Sequence, residues 1–415
     1  MRLVAVVLLA VLALRVEAAS LLERGDPPLP GPLAEVIALI EEGRFGEAEL
    51  RLAVLRAAAP RDPALALAAA EIAARRGDAA RAESELRAGL AAAPDATALW
   101  RALGRLKALA GDAEAMDQAF RAAIAARPDE RANPLEAAEL WHERFGRPDR
   151  ALPHYERAAA ITPDDAWLLW RYGLALARAG RTAEAIAMLE RAADADPTSP
   201  LPDHARGGLL AELGRPAEAI AAYDRALARR ADHTETRLAR AALVLSQGRT
   251  GEAIAEFDRA ARERPDIPQP WVGLGMALER AGNIQGAVLA YRRALERHAE
   301  DPIALNNLAW LIALGAGEPA EAVALARRAA ALLPDDPSVL TTLGEALRRS
   351  GEAREAEAQF DRAIGIEPTA ERHYRRALAR EALGDRAGAL ADLDRALVLD
   401  PRHALARADR GRLQP

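Results

Sequence analysis

The sequence contains no cysteine, and it is poor in lysine and in aromatic residues. Without cysteine the chain has no disulfide, no iron–sulfur cluster, no thiolate zinc site, no cysteine nucleophile and no thiol for a lipid anchor. Of its 56 basic residues only Lys107 is a lysine, and acidic and basic residues are interleaved to a net charge of −6. Non-specific nucleic-acid binding depends on a clustered basic surface, so this charge pattern indicates no nucleic-acid partner.

Aromatic residues make up only 4% of the chain, although 51% of its residues are hydrophobic, and alanine is the dominant residue. Alanine has the most favourable intrinsic helix propensity of all residues. The composition therefore predicts many closely packed helices.

The N-terminus carries the one apolar run that approaches a membrane-active length, over residues 3–14, between Arg2 and Arg15. Twelve residues are too few to span a bilayer comfortably as a helix, but they suit the core of a secretory signal peptide. Val16 and Ala18 stand at the −3 and −1 positions, so we expect a signal peptide over residues 1–18 and a short linker over residues 19–28. The protein would then be exported to the periplasm or the extracellular space. The alternatives are an uncleaved inner-membrane anchor facing the periplasm and a buried helix of the mature fold.

One motif recurs along the rest of the chain. GRTAEAIAMLERAADADP begins at Gly180, and GRPAEAIAAYDRALARRA begins thirty-four residues later, at Gly214. Equivalent glycines recur 33 to 35 residues apart, at Gly43, Gly77, Gly111, Gly146, Gly180, Gly214, Gly248, Gly282, Gly317, Gly351 and Gly384. Five residues after this glycine stands an alanine in ten of eleven copies, nine after it a bulky residue in ten, and seventeen after it a proline in nine. These regularities identify an internal repeat.

Each copy predicts a pair of helices. About a dozen residues before the glycine and about fourteen after it show helical periodicity. The glycine is expected to end the first helix in a left-handed conformation, and the proline to end the second. The small residues allow two antiparallel helices to approach, and the bulky residue fills the space between them. One such hairpin cannot bury its apolar face alone, so the hairpins must stack on one another.

These features resemble the tetratricopeptide repeat (TPR). The resemblance rests on the period, on Trp100 and Trp271 at position four, and on Leu-Gly at positions seven and eight, as in Leu103-Gly104, Leu274-Gly275 and Leu343-Gly344. It implies an all-α fold, an α-solenoid in which stacked antiparallel helix hairpins form a right-handed superhelix. We expect eleven repeats over residues 29–403: 29–62, 63–96, 97–130, 131–165, 166–199, 200–233, 234–267, 268–301, 302–336, 337–370 and 371–403.

Three departures from the regular pattern are expected. Repeats four and nine carry one extra residue in or near the turn, and repeat eleven lacks one in its first helix. Residues 404–415 read as a first helix without a partner, with Arg407 and Arg410 where a complete repeat places apolar residues. An end helix must solvate its outer face, so this segment is predicted to be a C-terminal capping helix.

Little in the chain indicates catalysis, a cofactor or a metal. The seven histidines form no HExxH motif, and the one arrangement that suggests a metal is His142 and His154 with Glu139 or Glu143. The Gly-Leu-Gly at 273–275 follows no predicted strand, which a dinucleotide fingerprint requires. Carboxylates stand three or four residues from arginines, as in ordinary helix-surface pairs. We predict no enzymatic activity, no cofactor and no metal site.

The resemblance implies instead that the protein binds other proteins. In the family, first helices line a concave groove, and ligand-facing residues occupy positions two, five, nine and twelve. Carried over to this chain, these positions give twelve candidate partner-binding residues: Arg101, Arg105, Trp167, Trp170, His204, Gln269, Met276, Asn306, Trp310, Thr341, Glu345 and Arg348. The tryptophans are natural anchors for a partner. Packing between neighbouring helices remains the alternative for each of them.

We therefore expect a non-enzymatic scaffold of the bacterial cell envelope that holds partner proteins or extended peptides in its groove. The segment IALNNLAWLIAL, residues 303–314, is similar to one common in exported bacterial repeat proteins. The first alternative is a membrane-tethered accessory subunit of a polysaccharide-export or secretion complex. The second is a sugar-binding or catalytic groove, which requires acidic and aromatic groups clustered with a perturbed pKa.

Overall fold

The computed structural model of the chain describes residue 21 and residues 31–414. The predicted signal peptide, and the predicted linker apart from Leu21, therefore lie outside the described residues. Residues 31–414 are built from helices and turns without a strand. Among these helices none is both long enough and apolar enough to span a membrane. The chain divides into two compact units, an N-terminal unit that ends at Pro197 and a C-terminal unit that begins at Thr198.

The described part of the N-terminal unit contains ten α-helices, in which each odd-numbered helix packs against the even-numbered helix that follows it. These are α1 (Pro32–Glu41), α2 (Phe45–Ala58), α3 (Pro63–Arg75), α4 (Ala79–Ala92), α5 (Thr97–Leu109), α6 (Ala113–Ala126), α7 (Ala132–Glu139), α8 (Pro148–Ile161), α9 (Ala166–Arg178) and α10 (Thr182–Ala195). Each hairpin also contacts the next one, which is the predicted α-solenoid arrangement.

The described part of the C-terminal unit repeats this arrangement with six hairpins and one final helix. Its helices are α11 (Leu201–Glu212), α12 (Pro216–Arg229), α13 (Thr234–Ser246), α14 (Thr250–Glu263), α15 (Gln269–Arg280), α16 (Ile284–Arg297), α17 (Pro302–Leu311), α18 (Pro319–Leu332), α19 (Pro337–Arg349), α20 (Ala353–Ile366), α21 (Ala370–Ala382), α22 (Arg386–Leu399) and α23 (Ala404–Leu413). The final helix packs on α22 and leaves Arg407 exposed, as expected of a capping helix.

Helix ends follow from local sequence. Several helices begin at an aspartate whose carboxylate accepts a backbone N–H of the first turn, and at Asp62, Asp301 and Asp336 a proline then occupies the first helical position. Proline is favoured there because its missing N–H would have no partner in the helix. Ten of the eleven predicted turn glycines lie in the left-handed region, with φ between 61° and 88°. The prediction that these glycines end the first helices is confirmed at those ten positions.

The extra residues of repeats four and nine are taken up as π-helical turns, Leu140–Arg144 and Ile312–Ala316, at the ends of the first helices. The second of these turns is interrupted at Gly315, where the backbone is no longer helical. A π turn holds one residue more than an α turn, so it absorbs an insertion without breaking the helix. In repeat nine the left-handed residue is Gly315, with φ 115°, whereas Gly317 is extended, with φ 178°. The prediction that Gly317 ends its helix in a left-handed conformation is therefore wrong.

The two helices of a hairpin touch where position eight faces the bulky residue nine after the turn glycine. A Cβ built on Gly275 would lie 2.5 Å from Cε1 of Tyr291, and one built on Gly344 would lie 2.7 Å from Cε1 of Phe360. These distances leave no room for a side chain at Gly275 and Gly344, so glycine is required opposite the ring at these two contacts. In repeat two the residues at the same positions are Ala70 and Leu86, which lie in one apolar cluster. The expected combination of small and bulky residues is confirmed.

Candidate partner-binding surface

The odd-numbered helices of each compact unit are the first helices of its hairpins, and we call the surface that they form the first-helix face of that unit. All twelve predicted partner-binding residues lie on odd-numbered helices. The structure buries three of them, Arg101, Thr341 and Glu345, and exposes three, Trp167, Gln269 and Met276. The other six are half-buried: Arg105, Trp170, His204, Asn306, Trp310 and Arg348.

In the N-terminal unit, arginines of α5 pair with a carboxylate of α7. Arg101 Nε lies 3.2 Å from Glu136 Oε2, and its Nη1 lies 3.3 Å from Glu130 Oε1. Arg105 donates to both carboxylate oxygens of Glu136. The two pairs with Glu136 join repeat three to repeat four, whereas Glu130 is the last residue of repeat three itself. The pairs hold the guanidinium groups in fixed positions on the first-helix face.

The next helix of this face adds a cation and an aromatic ring. On α9, Arg171 lies 2.9 Å from Glu143 and 3.8 Å from Glu139. The Arg171 guanidinium carbon also lies 5.6 Å from the centre of the Trp167 ring. Trp167 keeps 48% of its surface exposed, whereas Trp170 is half-buried. The face therefore presents a large accessible aromatic ring beside a row of paired charges.

Glu139 of α7 is an acidic group with a perturbed pKa on the first-helix face. Burial raises the pKa of Glu139 above its ordinary range, Arg171 opposes the rise, and Glu136 and Glu143 add to it. A cavity of about 480 Å³ in this unit is lined instead by other side chains, among them Asp117, Arg121, His154 and Arg157. It lies between α6 and α8, on the second helices. The raised pKa of Glu139 thus belongs to a row of paired charges, not to this cavity.

The two histidines considered as metal ligands have separate protein partners. His154 Nε2 lies 2.9 Å from Asp117 Oδ1, while His142 Nε2 lies 2.9 Å from Arg178 Nη1. The guanidinium can only donate, so His142 Nε2 is an acceptor and the ring proton belongs on Nδ1. From there it points to the hydroxyl of Tyr155, 3.4 Å away. Among the described residues no group of three or more His, Asp or Glu side chains is placed to hold a metal ion.

The buried His142 is expected to make the fold acid-sensitive. Burial, together with the nearby Arg178 and Arg171, lowers its pKa to about 4 against the opposing effect of Glu143. A neutral histidine with a lowered folded-state pKa stabilises the fold above pH 6.5, and this contribution is lost as the pH falls towards 4. The free energy of unfolding of the wild type, minus that of His142→Gln, should drop by about 3 kcal/mol over this interval. Urea unfolding at several pH values measures the difference, and a constant value would contradict the expectation.

In the C-terminal unit, Arg375 of α21 brings two predicted residues together. Its guanidinium carbon lies 4.5 Å from the centre of the Trp310 ring, and its Nη1 lies 3.2 Å from Glu345 Oε2. Arg348 Nη2 donates to the other oxygen of Glu345 at 2.6 Å. Burial raises the pKa of Glu345, but the arginines outweigh this effect, so its pKa lies below the ordinary range. Trp310, Glu345 and Arg348 therefore form one cluster.

Two arginines that contact predicted residues were absent from the sequence prediction. Arg372 Nε donates to the hydroxyl of Thr341 at 3.1 Å, and Arg375 links Trp310 to Glu345. Both arginines stand in repeat eleven, at positions two and five. The positional rule that selected the twelve candidates would have found them had it been applied to that repeat. The same rule would also have selected Glu71 of the N-terminal unit, which occupies position nine of repeat two.

The remaining candidates do not join this cluster. His204 contacts the hydroxyl of Thr236 at 3.0 Å, and its ring centre lies 5.6 Å from that of His233. Burial lowers the pKa of His204 to about 4. Gln269 and Met276 are exposed on α15. Asn306 donates to Asn307 on the same helix.

Comparison with known proteins identifies the repeat. Two family models, both described as tetratricopeptide repeat, match residues 144–206 and 313–381 in one case and residues 204–268 and 272–337 in the other. No curated protein matches the sequence.

Three solved structures illustrate what the chain resembles at low sequence identity. A chain of the APC/C hetero-tetramer Cut9–Hcn1 is 13% identical, with a TM-score of 0.51, over 93% of this chain and 97% of that one. A thermophilic TPR protein of Thermus thermophilus is 20% identical, with a TM-score of 0.36, over 43% of this chain and 98% of that one. A tetratricopeptide repeat protein of Parabacteroides merdae is 16% identical, with a TM-score of 0.40, over 68% of this chain and 98% of that one. At these identities the likeness concerns the fold alone.

Proposed function

The chain belongs to the tetratricopeptide repeat family, and from this premise we propose that it is a non-enzymatic scaffold of the bacterial cell envelope. Its fold supports a protein–protein interaction scaffold. Stacked repeats provide a long surface in which each hairpin adds a strip of side chains, and such a surface suits an elongated partner. The proposed ligand is a partner protein or an extended peptide that lies along the first-helix face.

The observation that carries the proposal is Trp167. Tryptophan is among the residues that contribute most to protein interfaces. Trp167 is 48% exposed and has Arg171 beside its ring. The neighbouring arginines are already paired with carboxylates, so they are ordered before a partner arrives. Binding then costs less side-chain entropy.

The location in the cell envelope is proposed from the N-terminal sequence. Residues 1–18 combine Arg2, an apolar run and a predicted cleavage site after Ala18. Cleavage would release the protein into the periplasm or the extracellular space. The second candidate, a subunit tethered to the inner membrane within a polysaccharide-export or secretion complex, keeps this segment. The two differ in the mass of the exported protein.

Photo-crosslinking in the cell tests the proposal. With p-benzoyl-phenylalanine in place of Trp167, we expect one dominant envelope protein to be captured and identified by mass spectrometry. Titration of that purified partner should then show that Trp167→Ala weakens binding by about thirtyfold, the effect of losing a central aromatic anchor. The mass of the crosslinked chain shows in the same experiment whether residues 1–18 are present.

The matched control places the same photo-reactive residue at Glu184, whose side chain is 57% exposed on α10 of the same hairpin. It should give no dominant adduct, because α10 is a second helix. Equal capture at both positions, or no capture at Trp167 by a folded and exported protein, would contradict a dedicated binding surface.

A further inference from the structure

Leu21 is inserted into the apolar core between helices of the N-terminal unit. It is 1% exposed and belongs to the same apolar cluster as Ala66, Ala70 and Ala73 of α3 and Ala102, Leu103 and Leu106 of α5. Leu67 and Trp100 pack against this cluster. A leucine that stands ten residues before the described array therefore fills a recess formed by α3 and α5.

The main chain of this leucine is held as well as its side chain. The Leu21 N–H donates to Glu71 Oε2 at 2.5 Å, and the Leu21 carbonyl accepts from Arg105 Nη1 at 2.5 Å. Glu71 stands at position nine of repeat two and Arg105 at position nine of repeat three. Two successive repeats therefore each hold the Leu21 main chain with the side chain at position nine. Hydrogen bonds to ionised groups are among the strongest that a backbone can make. Because they involve only the main-chain atoms of the bound residue, any residue other than proline can form both of them.

Both ionised groups are fixed by other contacts. Glu71 is fully buried and accepts from Arg75 Nε at 2.6 Å, one turn along α3. Arg105 donates to Glu136 of α7 as well as to the leucine carbonyl. The recess thus has an apolar floor that accepts a leucine side chain, one fixed acceptor for its N–H and one fixed donor for its C=O. This arrangement recognises one residue of a peptide, backbone and side chain together.

We propose that this recess is a peptide-binding site for a partner segment that presents a leucine, and that Leu21 occupies it as a tethered competitor. The inference rests on the proposed function and assigns a ligand chemistry and a regulation to the first-helix face. A partner peptide binds by displacing Leu21 and by forming the same two hydrogen bonds to Glu71 and Arg105. The attachment of Leu21 to the array keeps its local concentration high, so that only a partner with further contacts displaces it. Cleavage after Ala18 would retain Leu21.

The test uses the full chain and a fluorescent peptide, ASLLE with blocked ends, which is the sequence of residues 19–23. Fluorescence anisotropy measures its binding to the wild type and to Leu21→Asp. If the site is occupied by Leu21 in most molecules, only the remaining fraction can bind the probe. The apparent affinity for the probe is then lowered in proportion to that fraction. We expect Leu21→Asp to bind the probe about tenfold or more tightly than the wild type does. A peptide with aspartate in place of its first leucine should bind neither protein.

Two control variants identify the site. Leu50→Asp makes the same substitution at a leucine that is 72% exposed on α2, and its affinity for the probe should equal that of the wild type. Arg105→Met combined with Leu21→Asp removes the donor to the peptide carbonyl and should abolish the gain. Equal affinity of Leu21→Asp and the wild type for the probe, including no binding by either, would overturn the inference.

Hydrogen exchange gives a second readout that needs no variant. In the wild type the Leu21 amide should exchange slowly, because its hydrogen bond to Glu71 is buried, and saturation with the probe should make it exchange faster. Slow exchange that the probe does not change would also overturn displacement. The outcomes separate the two proposals: capture of a partner at Trp167 without a gain in Leu21→Asp would reject the competitor and retain the scaffold. A gain in Leu21→Asp without capture at Trp167 would retain the competitor and reject the Trp167 surface.

Discussion

Replacement of Asp392 by alanine is expected to destabilise the hairpin of α21 and α22 by about 3–5 kcal/mol, the usual effect of removing one partner from a buried ion pair. Asp392 is 2% exposed. It accepts hydrogen bonds from His373 Nδ1 at 3.0 Å, from Arg376 Nε at 2.8 Å and from Arg380 Nη1 at 2.9 Å. Without this carboxylate, the guanidinium groups of Arg376 and Arg380 lose the negative charge with which both of them pair.

The protonation state of Asp392 supports this expectation. Burial raises its pKa, but hydrogen bonds from Arg376 and His373 outweigh that effect, so the pKa lies below its ordinary range. The group is therefore charged at neutral pH, and the charge is what the arginines need. Asp392→Asn keeps the shape and one oxygen acceptor while it removes the charge. We expect this variant to be destabilised nearly as much as the alanine variant.

Asp394→Ala is the matched control, two residues along the same helix. Asp394 is 55% exposed and pairs with Arg410, and a surface pair of this kind contributes about 1 kcal/mol or less. Denaturant unfolding and native-state hydrogen exchange of the α21 and α22 amides measure the effects. The exchange experiment is needed because a long repeat array does not have to unfold in one step. Similar losses for Asp392→Ala and Asp394→Ala would contradict the buried network.

Gly344→Ala is expected to destabilise the hairpin of α19 and α20 by about 1–3 kcal/mol, because the added methyl group overpacks the contact with Phe360. The new Cβ would lie 2.7 Å from Phe360 Cε1 and 2.8 Å from its Cζ. Phe360 is fully buried and cannot swing into solvent. The chain itself contains the compensated pair, since repeat two has Ala70 and Leu86 at the equivalent positions.

A double-mutant cycle with Phe360→Leu tests this complementarity. The combination of Gly344→Ala and Phe360→Leu recreates the pair of repeat two, so it should lose less stability than the sum of the two single variants. Residues in contact usually deviate from additivity by about 0.5–3 kcal/mol. Gly365→Ala is the control on α20, because a Cβ there meets no atom within 4 Å. It should stabilise the helix by up to about 1 kcal/mol. Strict additivity at positions 344 and 360 would contradict the proposed contact.

Local chemistry explains why the helices and their ends were predictable. A left-handed glycine, an aspartate cap or a proline acts within a few residues, so the same letters produce the same backbone in each repeat. The prediction for Gly317 was wrong for the same physical reason. The extra residue of repeat nine lengthens the first helix by a π turn, and Gly315 then occupies the left-handed position. The period identified the insertion but did not determine which glycine would adopt this conformation.

The candidate surface was less predictable, because position within a repeat does not determine burial. Glu345 and Met276 both stand at position nine, yet Glu345 is 1% exposed and Met276 is 45% exposed. Glu345 pairs with Arg348 of its own helix and with Arg375 of the next repeat, whereas Met276 remains exposed on α15.

The sequence by itself determined the period, the hairpins and the packing of small against bulky residues, since all of these depend on interactions within about one repeat. The tertiary structure decided which candidates are accessible and how Arg375 joins Trp310 to Glu345. It also revealed that Leu21 fills the recess between α3 and α5. These contacts join residues 30 to 84 positions apart, and their geometry depends on how successive hairpins stack. A rule based on position within one repeat cannot supply that geometry.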